Sequence, residues 1–225
     1  MNLDQLQWMS FETKEELINQ LKDYLVNLSI EKISKNGFFS IILAGGTTPE
    51  NLYQLLNKEE KIDFTKWKIF IGDERCLDAN NKDRNSVMIV RSLLNKIDIK
   101  TTNFFPINSE KGSKFGADEY NKLIEQQDSF DIALLGLGED AHTASLFPGH
   151  IWNEDKYVVP INNAPKPPAD RISLTPKAFK KCNNIIFIVT GAGKTDAINK
   201  WKNGDSLPVS FISGKEKTQV YFNLD

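Results

Sequence analysis

Short apolar runs recur along the chain, and stretches of helical periodicity separate most of them. Phe38 to Leu43, Lys68 to Ile71, Phe130 to Leu135, Tyr157 to Ile161, Ile172 to Leu174, Ile185 to Thr190 and Gln219 to Phe222 read as strands, with Asn103 to Ile107 a weaker one. Nearly continuous apolar runs suit strands covered on both faces. Leu17, Leu21, Tyr24, Leu25 and Leu28 recur at helical intervals behind Thr13 and Glu16, which have capping-box spacing. Leu52, Leu55 and Leu56 mark a second helix, with Thr48 placed to cap it and Pro49 suited to its first position. Val87, Val90, Leu94 and Ile97 outline another helix face, and Phe115 to Gln126 and Ala197 to Trp201 complete the set. This alternation predicts an α/β fold: a doubly wound, mostly parallel, Rossmann-like sheet with helices on both faces. The most irregular stretch, Asn162 to Arg171 with Pro165, Pro167 and Pro168, is short for a domain boundary and reads as a functional loop. One domain over residues 1–225 is expected, without solenoid repeats.

Composition removes several classes of function. The formal net charge is -2 and the sequence pI about 5.8, so nothing draws the chain generally to nucleic acid or anionic lipid. The 14 Phe, 4 Trp and 5 Tyr need burial, which argues against disorder. Cys76 and Cys182 are too far apart in sequence to suggest a zinc site or a disulfide scaffold, and read as reduced thiols. Met1 to Ser10 lacks a basic stretch followed by an apolar run, and no apolar run approaches the ~20 residues that span a bilayer. A cytoplasmic protein with no nucleic acid, membrane or obligate protein partner is expected.

In an open α/β sheet, ligands bind beyond the carboxyl ends of the strands. Four such junctions stand out. Ala44–Pro49 (AGGTTP) offers glycines for close backbone approach, and Thr47 and Thr48 at a helix start where N–H groups favour an anion; an ordinary turn would read the same way. Asp73-Glu74-Arg75 follows a strand, either as a solvated loop or with Arg75 placed for bidentate phosphate recognition. Gly136 to His150 matches the dinucleotide pattern only loosely, since no strand-end acid follows at the required distance. Its more useful feature is His142, one of only two histidines, set behind Asp140 as a candidate general base. His150 is expected to be a bystander. Last, Arg171 follows the proline loop, and Gly193-Lys194-Thr195 resembles the tail of a P-loop. Ile188 stands where that motif requires glycine, which disfavours a nucleoside triphosphate. Arg75, Arg171 and Lys194 together could form a phosphate pocket.

Taken together, these segments resemble the 6-phosphogluconolactonase family, within the glucosamine-6-phosphate isomerase/6-phosphogluconolactonase superfamily. AGGTTP, FIGDERCL (Phe70–Leu77), DRNS (Asp83–Ser86), GLGEDAHTASLFPG (Gly136–Gly149), PKPPADRISLT (Pro165–Thr175) and TGAGK (Thr190–Lys194) occur in the family's order. The resemblance implies hydrolysis of a small-molecule sugar-phosphate lactone, 6-phospho-D-glucono-1,5-lactone, to 6-phosphogluconate, with no cofactor. The related glucosamine-6-phosphate deaminases typically carry Tyr where this chain has Arg75, and Ile-Ala-Phe-Asn-Glu-Pro after the histidine. Here Thr143-Ala144-Ser145-Leu146-Phe147-Pro148 follows, which is the lactonase form. A deaminase and a silent sugar-phosphate-binding module are the alternatives.

A δ-lactone is an activated ester, so its hydrolysis needs a positioned water, a base and stabilisation of a tetrahedral oxyanion. His142 is the candidate base, and either Asp73 or Asp140 could orient or charge-balance it. N–H groups near Gly45 and Gly46 are candidate oxyanion donors. Thr47, Thr48, Arg75, Arg171 and Lys194 complete the expected substrate site. No His/Cys/acid cluster has metal-ligand spacing. There is no G-x-S-x-G elbow, so Ser145 is read as loop support. One departure from the family is Ala141, where lactonases have glycine between the aspartate and the histidine. Ordinary negative φ is expected there, because strained alanines are uncommon.

Overall fold

The computed structural model describes residues 6–225. The expectation drawn from Met1 to Ser10 falls partly outside them, at residues 1–5. Seven parallel strands form the main sheet: β1 (Leu6–Ser10), β2 (Phe39–Leu43), β3 (Trp67–Ile71), β5 (Phe104–Phe105), β6 (Phe130–Gly136), β9 (Cys182–Thr190) and β10 (Lys217–Asn223). Their spatial order is β1-β10-β9-β6-β2-β3-β5. The chain runs outward from β2 through β3 to β5, then returns to lay β6 on the other side of β2 and continues outward through β9 and β10. The direction reverses between β2 and β6, so the crevice beyond their carboxyl ends is where this topology binds ligands.

Helices flank the sheet: α1 (Lys14–Asn36), α2 (Thr47–Leu56), α3 (Asn85–Ser92), α4 (Ser113–Glu125), the single turn α5 (Pro176–Phe179) and α6 (Thr195–Lys202). The signal at the start of α1 is borne out. Thr13 Oγ1 accepts from the Glu16 N–H, while the Glu16 carboxylate reaches back to the N–H of Glu12 rather than of Thr13. Gly37 ends α1 at φ 80, its N–H donating to the Ile33 carbonyl. The strands bury both faces: all five residues of β2 are buried, as is β6 up to Leu135.

Several local expectations need correction. The strand expected over Asn103–Ile107 is only Phe104–Phe105. The α3 face is Met88 and Ile89, with Leu93 just beyond the helix; Val87 and Val90 are half-buried, and Leu94 lies in a 3-10 turn. Thr48 does not cap α2. Gly46 holds that position, Pro49 is the third helical residue rather than the first, and the Thr48 hydroxyl pairs with that of Thr190 at 2.6 Å. Edge strand β1 lies in a stretch that lacks a clear apolar run, and its pairing with β10 supplies the order instead.

A second, antiparallel sheet of β4 (Asp73–Arg75), β8 (Arg171–Leu174) and β7 (Val158–Ile161), in the order β4-β8-β7, was not expected. It pairs Arg75 with Arg171 and Asp73 with Ser173. The charges of Asp73-Glu74-Arg75 hid this strand from a reading based on apolar runs. Among the described residues, no helix is long and apolar enough to cross a membrane.

Candidate active site

A cavity of about 360 Å³ opens at the carboxyl ends of β2 and β6. Gly45, Gly46, Thr47, Thr48, Asp73, Arg75, His142, Arg171 and Lys194 all line it. Of the site residues expected from sequence, only Asp140 is missing from the wall.

β4 explains how one charged tripeptide serves two environments. Side chains alternate across a strand. Asp73 and Arg75 therefore reach the cavity, while Glu74 turns into the interior and is fully buried. Its carboxylate accepts from the N–H groups of Arg75, Asn85 and Ser86 at 2.9, 2.7 and 2.8 Å, and Arg84 lies 3.6 Å away. The N–H groups of Asn85 and Ser86 open α3 and have no intrahelical acceptor, so Glu74 satisfies them. With α3 set in this way, Asn85 Nδ2 donates to the Asp73 carbonyl at 2.7 Å and to Asp73 Oδ1 at 3.2 Å. Ser145 Oγ donates to Asp73 Oδ2 at 2.6 Å. Ser145, expected as loop support, thus holds a carboxylate of the cavity wall.

Gly45 has a specific reason to be glycine: a Cβ there would lie 1.9 Å from Asn85 Oδ1. Gly46 stands at φ 106, a conformation that side chains rarely adopt.

The loop after β6 builds the His142 environment. The Gly138 N–H donates to the His142 carbonyl at 2.7 Å, and the Ala141 N–H donates to the Gly138 carbonyl at 2.9 Å. Ala141 sits at φ 66, in the left-handed region, which overturns the expectation of negative φ. The turn closed by these two hydrogen bonds carries Ala141 in that region, where a non-glycine residue costs roughly 1–2 kcal/mol, and its methyl is buried. Gly138 cannot be replaced as cheaply, because a Cβ would meet His142 Nδ1 at 2.1 Å and Asp140 Oδ1 at 2.5 Å.

His142 Nδ1 lies 2.5 Å from Asp140 Oδ1. Asp140 is thus the acid paired with His142, and Asp73 is not. Burial pushes the imidazole below its ordinary value of 6.5, against the raising effect of Asp140. Burial works the other way on Asp140, but its bond to His142 and the charges of His142 and Lys166 outweigh it and hold the carboxyl low. The two shifts agree on a neutral imidazole beside an ionised carboxylate. With Nδ1–H directed at Asp140, Nε2 carries the free lone pair. Phe147 packs against the His142 ring at 4.7 Å and separates it from His150, which lies outside the cavity.

The cations converge from three elements. Arg75 donates Nη1 to the Asp83 carbonyl, and its buried Nε has no partner among the described residues. Arg171 is buried and gives Nε to the Pro168 carbonyl and Nη2 to the carbonyls of Lys166 and Pro167. Lys194, half-buried, lies just before α6, and burial lowers its ammonium below the usual lysine value. Four further polar wall residues were not expected as site residues: Asn85, Glu139, Lys166 and Thr190. All four lie inside the blocks that carry the family resemblance, and neither alternation nor spacing set them apart from their neighbours.

The family model described as glucosamine-6-phosphate isomerases/6-phosphogluconolactonase matches residues 12–221. A rice protein (Oryza sativa subsp. indica) named probable 6-phosphogluconolactonase 3, chloroplastic, is 33% identical over 235 residues, which covers 94% of this chain and 72% of its own. The 6-phosphogluconolactonase 3 of Saccharomyces cerevisiae (strain YJM789) is 30% identical over 235 residues, covering 95% of this chain and 93% of its own. The crystal structure of 6-phosphogluconolactonase from Thermotoga maritima superposes with a TM-score of 0.90 over 96% of this chain and 99% of that one; at 23% identity the likeness is one of fold.

Proposed function

The chain belongs to the glucosamine-6-phosphate isomerase/6-phosphogluconolactonase family, and from that premise we propose that it hydrolyses 6-phospho-D-glucono-1,5-lactone to 6-phospho-D-gluconate, in the oxidative pentose phosphate pathway and without a cofactor. The observation that carries this reading is the His142–Asp140 pair, with His142 in the wall of a cavity ringed by Arg75, Arg171 and Lys194.

His142 Nε2 takes a proton from water as the water oxygen adds to the lactone carbonyl. Asp140 keeps the ring in the Nδ1–H tautomer, and Asp73, across the cavity wall, adds negative charge that favours the imidazolium once it forms. N–H groups near Gly45 and Gly46 face the developing oxyanion. Collapse of the tetrahedral intermediate breaks the ring C–O bond, and the imidazolium returns its proton to the departing ring oxygen. Arg75, Arg171 and Lys194, with Thr47 and Thr48 at the start of α2, hold the phosphate dianion, so binding energy remote from the carbonyl positions it. The whole chain works as one catalytic domain, and a cytoplasmic location suits its small-molecule substrate.

The test is a hydrolysis assay with freshly generated lactone, corrected for spontaneous opening. Strong preference for the 6-phosphorylated lactone over unphosphorylated gluconolactone is expected. Comparable efficiency on the two would refute the phosphate anchor, and ammonia release from glucosamine 6-phosphate would favour the deaminase instead.

A further inference from the structure

Lys166 belongs to the proline loop between β7 and β8 and lines the cavity. Its Nζ lies 3.5 Å from Asp140 Oδ1, the oxygen that His142 Nδ1 also meets. An ammonium and an imidazole therefore share one carboxylate oxygen. The loop that carries Lys166 is braced from below: Arg171 donates to the carbonyls of Lys166, Pro167 and Pro168. The Arg171 guanidinium also lies 5.5 Å over the Phe147 ring, and Phe147 packs on the His142 ring. One buried cation fixes the backbone from which a more exposed cation reaches the acid of the pair.

We propose that Lys166 is a positioning residue for the hydrolysis: it holds Asp140 Oδ1 against His142 and keeps the imidazole in its neutral, proton-accepting form. The inference rests on the reading of His142 as the base. A carboxylate answering to the imidazole alone would stabilise the imidazolium and leave His142 protonated at higher pH. Lys166 opposes this twice, by sharing the carboxylate and by repelling a charged ring.

The charged groups that face His142 come from several elements. Asp140 and Glu139 belong to its own loop, Lys166 to the proline loop, and Asp73 and Arg75 to β4. Arg171 comes from β8 through Phe147, and Lys194 from the turn after β9. Burial is the largest influence lowering the proton affinity of His142, and Lys166 adds to it, while Asp140 and Asp73 raise it. Of the cations, Lys166 is the one beside the Asp140 carboxylate, so loss of its charge weakens the opposition to the two acids.

The experiment compares wild type, Lys166→Met, Lys166→Arg and His142→Ala by the pH profile of kcat/KM and by 15N NMR titration of the imidazole in the substrate-free protein. In Lys166→Met the His142 midpoint and the acid limb of kcat/KM both move to higher pH, so efficiency at the acid end falls several-fold more than on the plateau. Lys166→Arg restores both. An unmoved midpoint in Lys166→Met, or a loss uniform across pH with no shift of the limb, overturns the inference. Failure of the base reading has a different signature: folded His142→Ala turns over the phosphorylated lactone at nearly the wild-type rate. In that event the Lys166 role in hydrolysis falls with it, even if the midpoint moves.

Discussion

Asp73 and Asp140 are both carboxylates at the carboxyl end of the sheet, and the structure puts them to different uses. Asp73 is buried, faces the cavity, and has its two oxygens held by neutral donors, Asn85 Nδ2 and Ser145 Oγ. Asp140 is more open, lies behind the cavity wall, and offers one oxygen to two groups that can be cationic, His142 and Lys166. Neutral donors fix a carboxylate in place without changing charge, whereas a titrating partner couples it to proton transfer. The first acid is therefore built into the scaffold, with its charge directed at the cavity. The second is paired with the histidine, and in the proposed mechanism it acts through it.

Variants that separate the two roles sharpen this comparison. The largest effect is expected from His142→Ala, which should lower turnover by on the order of 10²–10⁴ with the fold retained, because in the proposed mechanism it removes the base on which both acids bear. Near-normal turnover in a folded variant would break the assignment. Asp140→Asn comes next: turnover falls by up to about 10² through lost orientation, with little change in thermal stability. Asp73→Ala should show the opposite emphasis in unfolding experiments. It strands the buried Ser145 hydroxyl, while the Asn85 amide keeps its bond to the backbone carbonyl of residue 73, at a cost of about 1–3 kcal/mol of stability in addition to any loss of activity. If Asp140→Asn proved the more destabilising of the two, the contrast would be reversed.

The pH response follows from the same pair. Burial depresses His142 below 6.5, so the imidazole stays neutral down to a lower pH than a free histidine. The acid limb of kcat/KM is expected below that value, and activity falls as pH falls through the depressed midpoint. The same sign applies to stability: the unfolded chain binds this proton more readily, so folding loses its contribution as pH drops. The smallest expected effect is at Ala141. Relief of positive φ, less the added unfolded-state entropy, should make Ala141→Gly about 0.5–1 kcal/mol more stable in denaturant melts, with activity retained.

Much of this was legible in the residue pattern. Nearly continuous apolar runs suit buried strands, so β2, β3 and β6 emerged within one residue of their observed limits, while β9 begins at Cys182, three residues before the expected Ile185. Glycine-rich junctions after those strands then pointed to the cavity. Asp73-Glu74-Arg75 did not read as a strand, because its order comes from pairing with β8 and from a buried carboxylate that no hydropathy pattern reveals. Thr48 looked like a cap by its spacing, yet a hydroxyl on the neighbouring strand, Thr190, was the partner available.

The residues by themselves determined the layered α/β architecture and the set of polar groups brought to one end of the sheet, because periodicity and strand-end chemistry are local properties. Which acid holds His142, why Gly45 must leave room for Asn85, and how Lys166 arrives at Asp140 were decided only by tertiary structure. Each depends on atoms far apart in the chain or on the handedness of a turn, and a distance of a few ångströms separates a hydrogen bond from no interaction.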